Sequence, residues 1–142
     1  MDVIRLNGRI IVDNFYKKFE AMYPFLNPAL FYPTAIGGGE VDTTSTIANA
    51  RARSIRQDII GYSPTQGAEI DITPDTLIST LQSEIEKQFG IRCHINCRIQ
   101  EKGLFGLFKG DYSWQALDNT PYKNMTLGEA NAQLQKNGAQ VV

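Results

Sequence analysis

The stretch IRLNGRIIVDNFYKKFEAMYPF, Ile4–Phe25, lies over IDITPDTLISTLQSEIEKQFGI, Ile70–Ile91, at an offset of 66 residues with no gap. Leu6 falls on Ile72, Asn7 on Thr73, Ile11 on Leu77, Phe15 on Leu81, Phe19 on Ile85 and Tyr23 on Phe89. Identities are few, yet the apolar positions coincide throughout. From Ile11 to Tyr23 and from Leu77 to Phe89 they recur every four residues, which is one stripe of an amphipathic helix. A short alternating run precedes each helix, Val3–Leu6 and Glu69–Ile72, followed by a cap candidate, Asn7 or Thr73. Thr73-Pro74 has the order of an N-cap and a proline at the first helical position. Pro24 and Gly90 stop the two helices, one by lacking an N–H and the other by tolerating a left-handed turn.

Working outward, each helix should lead into a strand. Ile91, Cys93, Ile95, Cys97 and Ile99 alternate with Arg92, His94, Asn96, Arg98 and Gln100, so one face is buried and the other polar. The matching run Phe25–Tyr32 is interrupted by Pro28 and stopped by Pro33, which predicts a shorter strand near an edge. Further on, Thr46–Ala50 lines up with Thr126–Ala130, and each threonine caps a second helix, roughly Thr46–Arg56 and Thr126–Lys136. The second copy alone carries an apolar insert at 101–117, in which Leu104–Trp114 reads as a hairpin or apolar loop. The expected fold is therefore α+β, with two tandem β-α-β-(insert)-α modules related by internal duplication. Residues 1–61 form the first, 62–67 a connector rich in turn residues, and 68–142 the second, packed together as one globular unit. A mixed sheet with helices on one face is expected, its strands parallel within each module through right-handed crossovers.

Composition sets the outer limits. The 142 residues suit one domain at about 100–200 residues per domain. With 42% hydrophobic and 20% charged residues the chain reads as an ordinary folded protein. Fourteen basic side chains against 15 acidic ones argue against a nucleic-acid partner, and no apolar run reaches the roughly 20 residues of a membrane span. The first residues lack the basic flank and apolar stretch of a secretory signal, and the two cysteines read as reduced thiols, so the expected location is cytoplasmic.

The residues that could carry chemistry are few. Cys93 and Cys97 share a strand face but lie about 13 Å apart, and His94 points the other way, so no metal ion, disulfide or Cys–His nucleophile pair forms within that strand. No metal and no cofactor is expected. His94 is the sole histidine, and with Arg92 and Arg98 on the same polar face it could grip an anion. Gly37, Gly38 and Gly39 would join such a site as a mobile loop, though the segment lacks the Lys-Ser/Thr of a phosphate loop. Arg51, Arg53 and Arg56 spread around a helix and read as its basic end. Glu40, Asp42, Asp71 and Asp118 are scattered. The insert is the more telling segment: Leu104, Phe105, Leu107, Phe108, Tyr112 and Trp114 offer aromatic and aliphatic contact area of the kind interfaces use.

Ile70–Thr73, Leu81, Phe89-Gly90, Trp114, Thr126-Leu127 and Asn131 together resemble an uncharacterised bacterial family, largely from Bacteroidetes. Its members pair a strand–helix–Phe-Gly segment with an alternating strand, a Trp-containing stretch and a closing Thr-Leu helix. The resemblance implies a fold and carries no catalytic residues. The leading expectation is a non-enzymatic protein-interaction module, an adaptor or component of a larger bacterial assembly, with a protein partner or a second copy of itself. The alternative is a binding protein for a small anionic, nucleotide-like ligand at Arg92, His94, Arg98 and Gly37–Gly39. An enzyme comes third, since no catalytic motif is present.

Overall fold

Strand, helix and strand follow one another in both halves of the chain, but the strands find their partners across the halves. The structure, a computed structural model, describes residues 3–34, 37–50, 69–102 and 109–139, without the side chains at 100–102, 109–113 and 119. In order these give β1 (Ile4–Asn7), α1 (Val12–Met22), β2 (Asn27–Phe31), the helical residues 47–50 (α2), β3 (Glu69–Ile72), α3 (Ile78–Phe89), β4 (Arg92–Lys102), β5 (Lys109–Ala116), two short 3-10 turns and α4 (Leu127–Lys136). The fold is α+β. The expected mixed sheet with parallel strands is replaced by two antiparallel sheets, β1-β3 and β2-β4-β5. The ladder explains the choice: Ile4 opposes Ile72 and Leu6 opposes Ile70, so antiparallel pairing puts every buried residue of β1 beside a buried residue of β3.

The helices bury the expected stripe, with its start moved by one residue. Val12, Phe15 and Phe19 in α1, and Ile78, Leu81, Ile85 and Phe89 in α3, are buried, whereas Ile11 and Leu77 are exposed N-cap residues. Asn7 and Thr73 do not cap these helices. Their side chains close turns instead, the Arg9 N–H donating to Asn7 Oδ1 and the Asp75 N–H donating to Thr73 Oγ1. The orphan N–H groups at the helix starts are met from far along the chain. Val12 donates to the Ser45 carbonyl, Asp13 to Thr43, and Ile78 to Met125.

These contacts recur at matching positions. The Ile47 N–H donates to Ile10 O and the Leu127 N–H to Thr76 O; the Ala48 N–H donates to Gly8 O and the Gly128 N–H to Pro74 O. Isolated bridges join Ile11 to Thr46 and Leu77 to Thr126. Thr46 Oγ1 accepts from Asn49 N–H and Thr126 Oγ1 from Glu129 N–H, each at 3.2 Å. The ungapped match breaks at one place. Gly90, at φ +66°, turns the chain in a single residue between buried Phe89 and buried Ile91. Pro24 cannot adopt that conformation, so the turn takes Pro24 and Phe25, and Leu26 rather than Phe25 is the fully buried residue that answers Ile91.

One continuous apolar cluster draws on both halves, from Leu6, Phe15, Phe19 and Ile47 to Ile72, Ile85, Phe89 and Leu127. Helices α1 and α3 each touch both sheets, α1 through β1 and β2 and α3 through β3 and β4. Pro28 sits inside β2, which carries β4 on one edge only. The other edge of β2 is partly closed by residues 39–41, since Tyr32 N–H donates to Gly39 O and Val41 N–H to Leu30 O. Tyr16 reinforces this edge: its hydroxyl accepts from Leu30 N–H at 2.8 Å and donates to Glu40 at 3.4 Å. Burial raises its pKa, so the phenol stays protonated as that donor.

Candidate functional site: the outer face of the three-stranded sheet

Alternation along β4 sorts its side chains into two environments. Cys93, Ile95 and Cys97 face the core, while Arg92, His94, Asn96 and Arg98 face outward and are half-buried. Register then brings neighbours to the outward set. From β2, Phe31 lies opposite Arg92, Ala29 opposite His94 and Asn27 opposite Asn96. From β5, Trp114 lies opposite Arg98 and Ala116 opposite Asn96. Strand β5 ends in the 3-10 turn Leu117–Asn119, which returns Asp118 to His94 with 3.5 Å between Oδ2 and Nδ1.

Each basic side chain of this face has a distinct set of partners. Arg92 donates from Nε to Tyr32 O and from Nη2 to Gly38 O, both at 3.3 Å, and its guanidinium lies 5.8 Å from the centre of the Phe31 ring. His94 meets the Phe31 ring edge-on at 5.3 Å and Asp118 on its other side. Arg98 stacks over Trp114 at 5.2 Å, and its Nε is buried with no hydrogen-bond acceptor among the described residues. Trp114 itself is 52% exposed.

The structure thus joins Arg92 with the glycine segment, but through the carbonyl of Gly38. Gly37 and Gly38 hold positive φ, and their N–H groups close a turn onto Thr34 O and Pro33 O. Those donors serve the turn that returns residues 39–41 to β2. Leu104, Phe105, Leu107 and Phe108 lie outside the described residues, as do the connector 62–67 and Arg51, Arg53 and Arg56. Before and after residues 104–108, β4 and β5 pair antiparallel, down to Lys102 opposite Lys109. The backbone of Tyr112 lies opposite Gln100, and its side chain lies outside the described residues. Sequence reasoning missed Phe31 and the pairing of Asp118 with His94. Alternation with buried Leu30 could have placed Phe31 outward; nothing local could have returned Asp118 to β4.

The two thiols lie on the opposite side of the sheet from His94. Burial, with a smaller contribution from Asp118, pushes Cys93 up to about 12, and burial pushes Cys97 up to about 11, so both stay protonated at neutral pH. The other carboxylates noted in the sequence are dispersed: Asp42 accepts from Thr44, Glu40 from Tyr16, and Asp71 meets Arg5. Among the described residues no group of three or more His, Cys, Asp or Glu side chains is placed to hold a metal ion, and no helix is long and apolar enough to cross a membrane. What the outer face offers is aromatic area, two guanidinium groups and one imidazole–carboxylate pair. Comparison with protein-family models, curated proteins and solved structures finds no match.

Proposed function

We propose that the chain is a non-enzymatic protein-interaction module whose contact surface is the outer face of the β2-β4-β5 sheet. The observation that carries this reading is Trp114, 52% exposed on the side of the sheet away from the core and held beneath Arg98. Tryptophan and arginine are the residues on which binding energy concentrates in protein interfaces, and a stacked pair loses little side-chain freedom on docking. Phe31, Arg92 and His94 extend the surface toward β2; Leu104, Phe105, Leu107 and Phe108, which the sequence adds to it, lie outside the described residues. The small-anion reading has less support, because Arg92 and the N–H groups of Gly37 and Gly38 are already engaged by backbone.

The recurring contacts at Gly8, Ile10, Ile11 and Val12 and at Pro74, Thr76, Leu77 and Ile78 support a second part of the proposal, that the two halves arose by duplication. A role as adaptor in a bacterial assembly, in a compartment that keeps both thiols reduced, accords with this reading.

Native mass spectrometry of protein purified gently from its own cells tests the proposal. A stoichiometric protein partner is expected, lost in Trp114→Ala and weakened in Arg98→Ala while both variants keep the circular dichroism of the parent chain. The Trp114 truncation should cost about 2 kcal/mol of binding or more. A reproducible small-molecule adduct without protein partner, or a partner retained by both variants, overturns it.

A further inference from the structure

At three equivalent positions the two halves carry opposite charge, while Glu20 and Glu86 are alike. Arg5, Arg9 and Lys18 in the first half correspond, 66 residues on, to Asp71, Asp75 and Glu84. Arg5 and Asp71 meet across the β1–β3 ladder at 3.7 Å. Arg9 and Lys18 on one side, and Asp75 and Glu84 on the other, make no ion pair among the described residues. Glu84 accepts a hydrogen bond from Gln88. Among the described residues the two-stranded sheet pairs each strand on one edge, which leaves the other edges of β1 and β3 on opposite sides of it. Beside β1 lies an open depression of ≈ 750 Å³ between the strand and α1, lined by Arg5 and Asn7 from the strand, Val3 just before it, and Lys18 and Met22 from the helix.

We infer that copies of this chain associate head to tail, the β1/α1 side of one copy receiving the β3/α3 side of the next. Charge selects this arrangement. A contact of β1/α1 sides with each other would bring Lys18 near Lys18, and a contact of β3/α3 sides would bring Glu84 near Glu84, whereas the mixed contact brings Lys18 near Glu84. Strand direction agrees: β1 and β3 are antiparallel within the chain, so a translated copy sets its β3 antiparallel to the next β1 and continues the Arg5–Asp71 alternation. Such a contact is heterologous and grows into rings or open chains rather than stopping at a dimer. With strands of four residues and exposed charges it is weak and salt-sensitive.

Sedimentation velocity of the full chain from micromolar to millimolar concentration tests this. At low salt the average mass should rise past that of a dimer, and added salt should reverse the rise. Lys18→Glu and Glu84→Lys should each weaken association about tenfold or more, the loss of an attraction being compounded by a new repulsion. An equimolar mixture of the two variants should recover it, since the introduced carboxylate of one meets the introduced ammonium of the other; this recovery also shows that both variants are folded. Trp114→Ala should leave the association unchanged, which separates this contact from the outer sheet face. A monomer at every concentration in low salt, a mass that stops at a dimer, a mixture no better than either variant, or loss in Trp114→Ala would each overturn the inference.

Discussion

Residues 4–50 and 69–139 bring a turn against a helix in the same way and use glycine on opposite partners to do it. In the first half Gly8 lies in the turn and Ala48 on α2, and a Cβ on Gly8 would stand 3.2 Å from Ala48 Cβ. In the second half Pro74 lies in the turn and Gly128 on α4, and a Cβ on Gly128 would stand 3.1 Å from both the Cβ and the carbonyl oxygen of Pro74. The hydrogen bond from Ala48 or Gly128 to the turn carbonyl, 2.9 Å in each case, fixes the separation. It leaves room for one side chain between turn and helix. The two halves therefore make the same contact with the small residue on opposite partners.

The largest test asks whether the halves stand or fall together. Phe15→Ala should cost about 3–5 kcal/mol and Leu81→Ala, at the equivalent position, about 2–5 kcal/mol, since both side chains are buried in the shared cluster. Urea unfolding followed by Trp114 fluorescence and by far-ultraviolet circular dichroism should give one coincident transition in both variants. Two separated transitions would break the comparison by showing that each half keeps its own core.

Next come the glycines. Gly128→Ala should destabilise by about 1–3 kcal/mol, because the added methyl meets the Pro74 carbonyl as well as its ring. Gly8→Ala should cost less, as it meets a single methyl. Adding Ala48→Gly to Gly8→Ala reproduces the arrangement of the second half, and the double variant should be more stable than the sum of the single changes predicts. Additivity in denaturant titrations would show that the close approach is not what selects glycine.

Smaller effects separate the helix caps. Thr46→Ala and Thr126→Ala should each cost about 1 kcal/mol by thermal or urea unfolding. The second should cost slightly more, since Glu129 in the first turn belongs to the Thr-x-x-Glu capping pattern and Asn49 does not. The smallest change is expected at the join between halves. Asp71→Ala breaks the Arg5–Asp71 pair, but the two side chains are 70% and 57% exposed, so the loss should stay below about 1 kcal/mol and shrink with salt.

Local regularities were legible before the fold was known. The alternation of Cys93, Ile95 and Cys97 with Arg92, His94 and Arg98 marked β4 and told which side chains face outward. The four-residue spacing of Phe15, Phe19 and Tyr23, and of Leu81, Ile85 and Phe89, marked the buried sides of the helices. Thr126 was recognisable as an N-cap because the side chain and the N–H it accepts from are three residues apart. Asn7 and Thr73 were misread for a related reason: the helix starts they precede are completed by carbonyls of Ser45 and Met125, which no local pattern announces. The same limit hid the return of Asp118 to His94 and the stacking of Arg98 on Trp114.

The sequence by itself determined the helical stripes, the alternating strand β4 with its buried side, and the strand–helix–strand order that opens both halves. Period and capping depend on residues within a turn or two of each other, so they can be read from the chain without knowing what lies beside it. Only the tertiary structure decided that β1 pairs with β3 and β2 with β4, antiparallel, and that Pro24 costs the first half one residue of register where Gly90 does not. Strand partners are chosen by matching buried faces across dozens of residues, and a one-residue slip would turn every side chain of β2 to the other face. That long-range choice sets Trp114, Arg98, His94 and Phe31 on one face of the sheet.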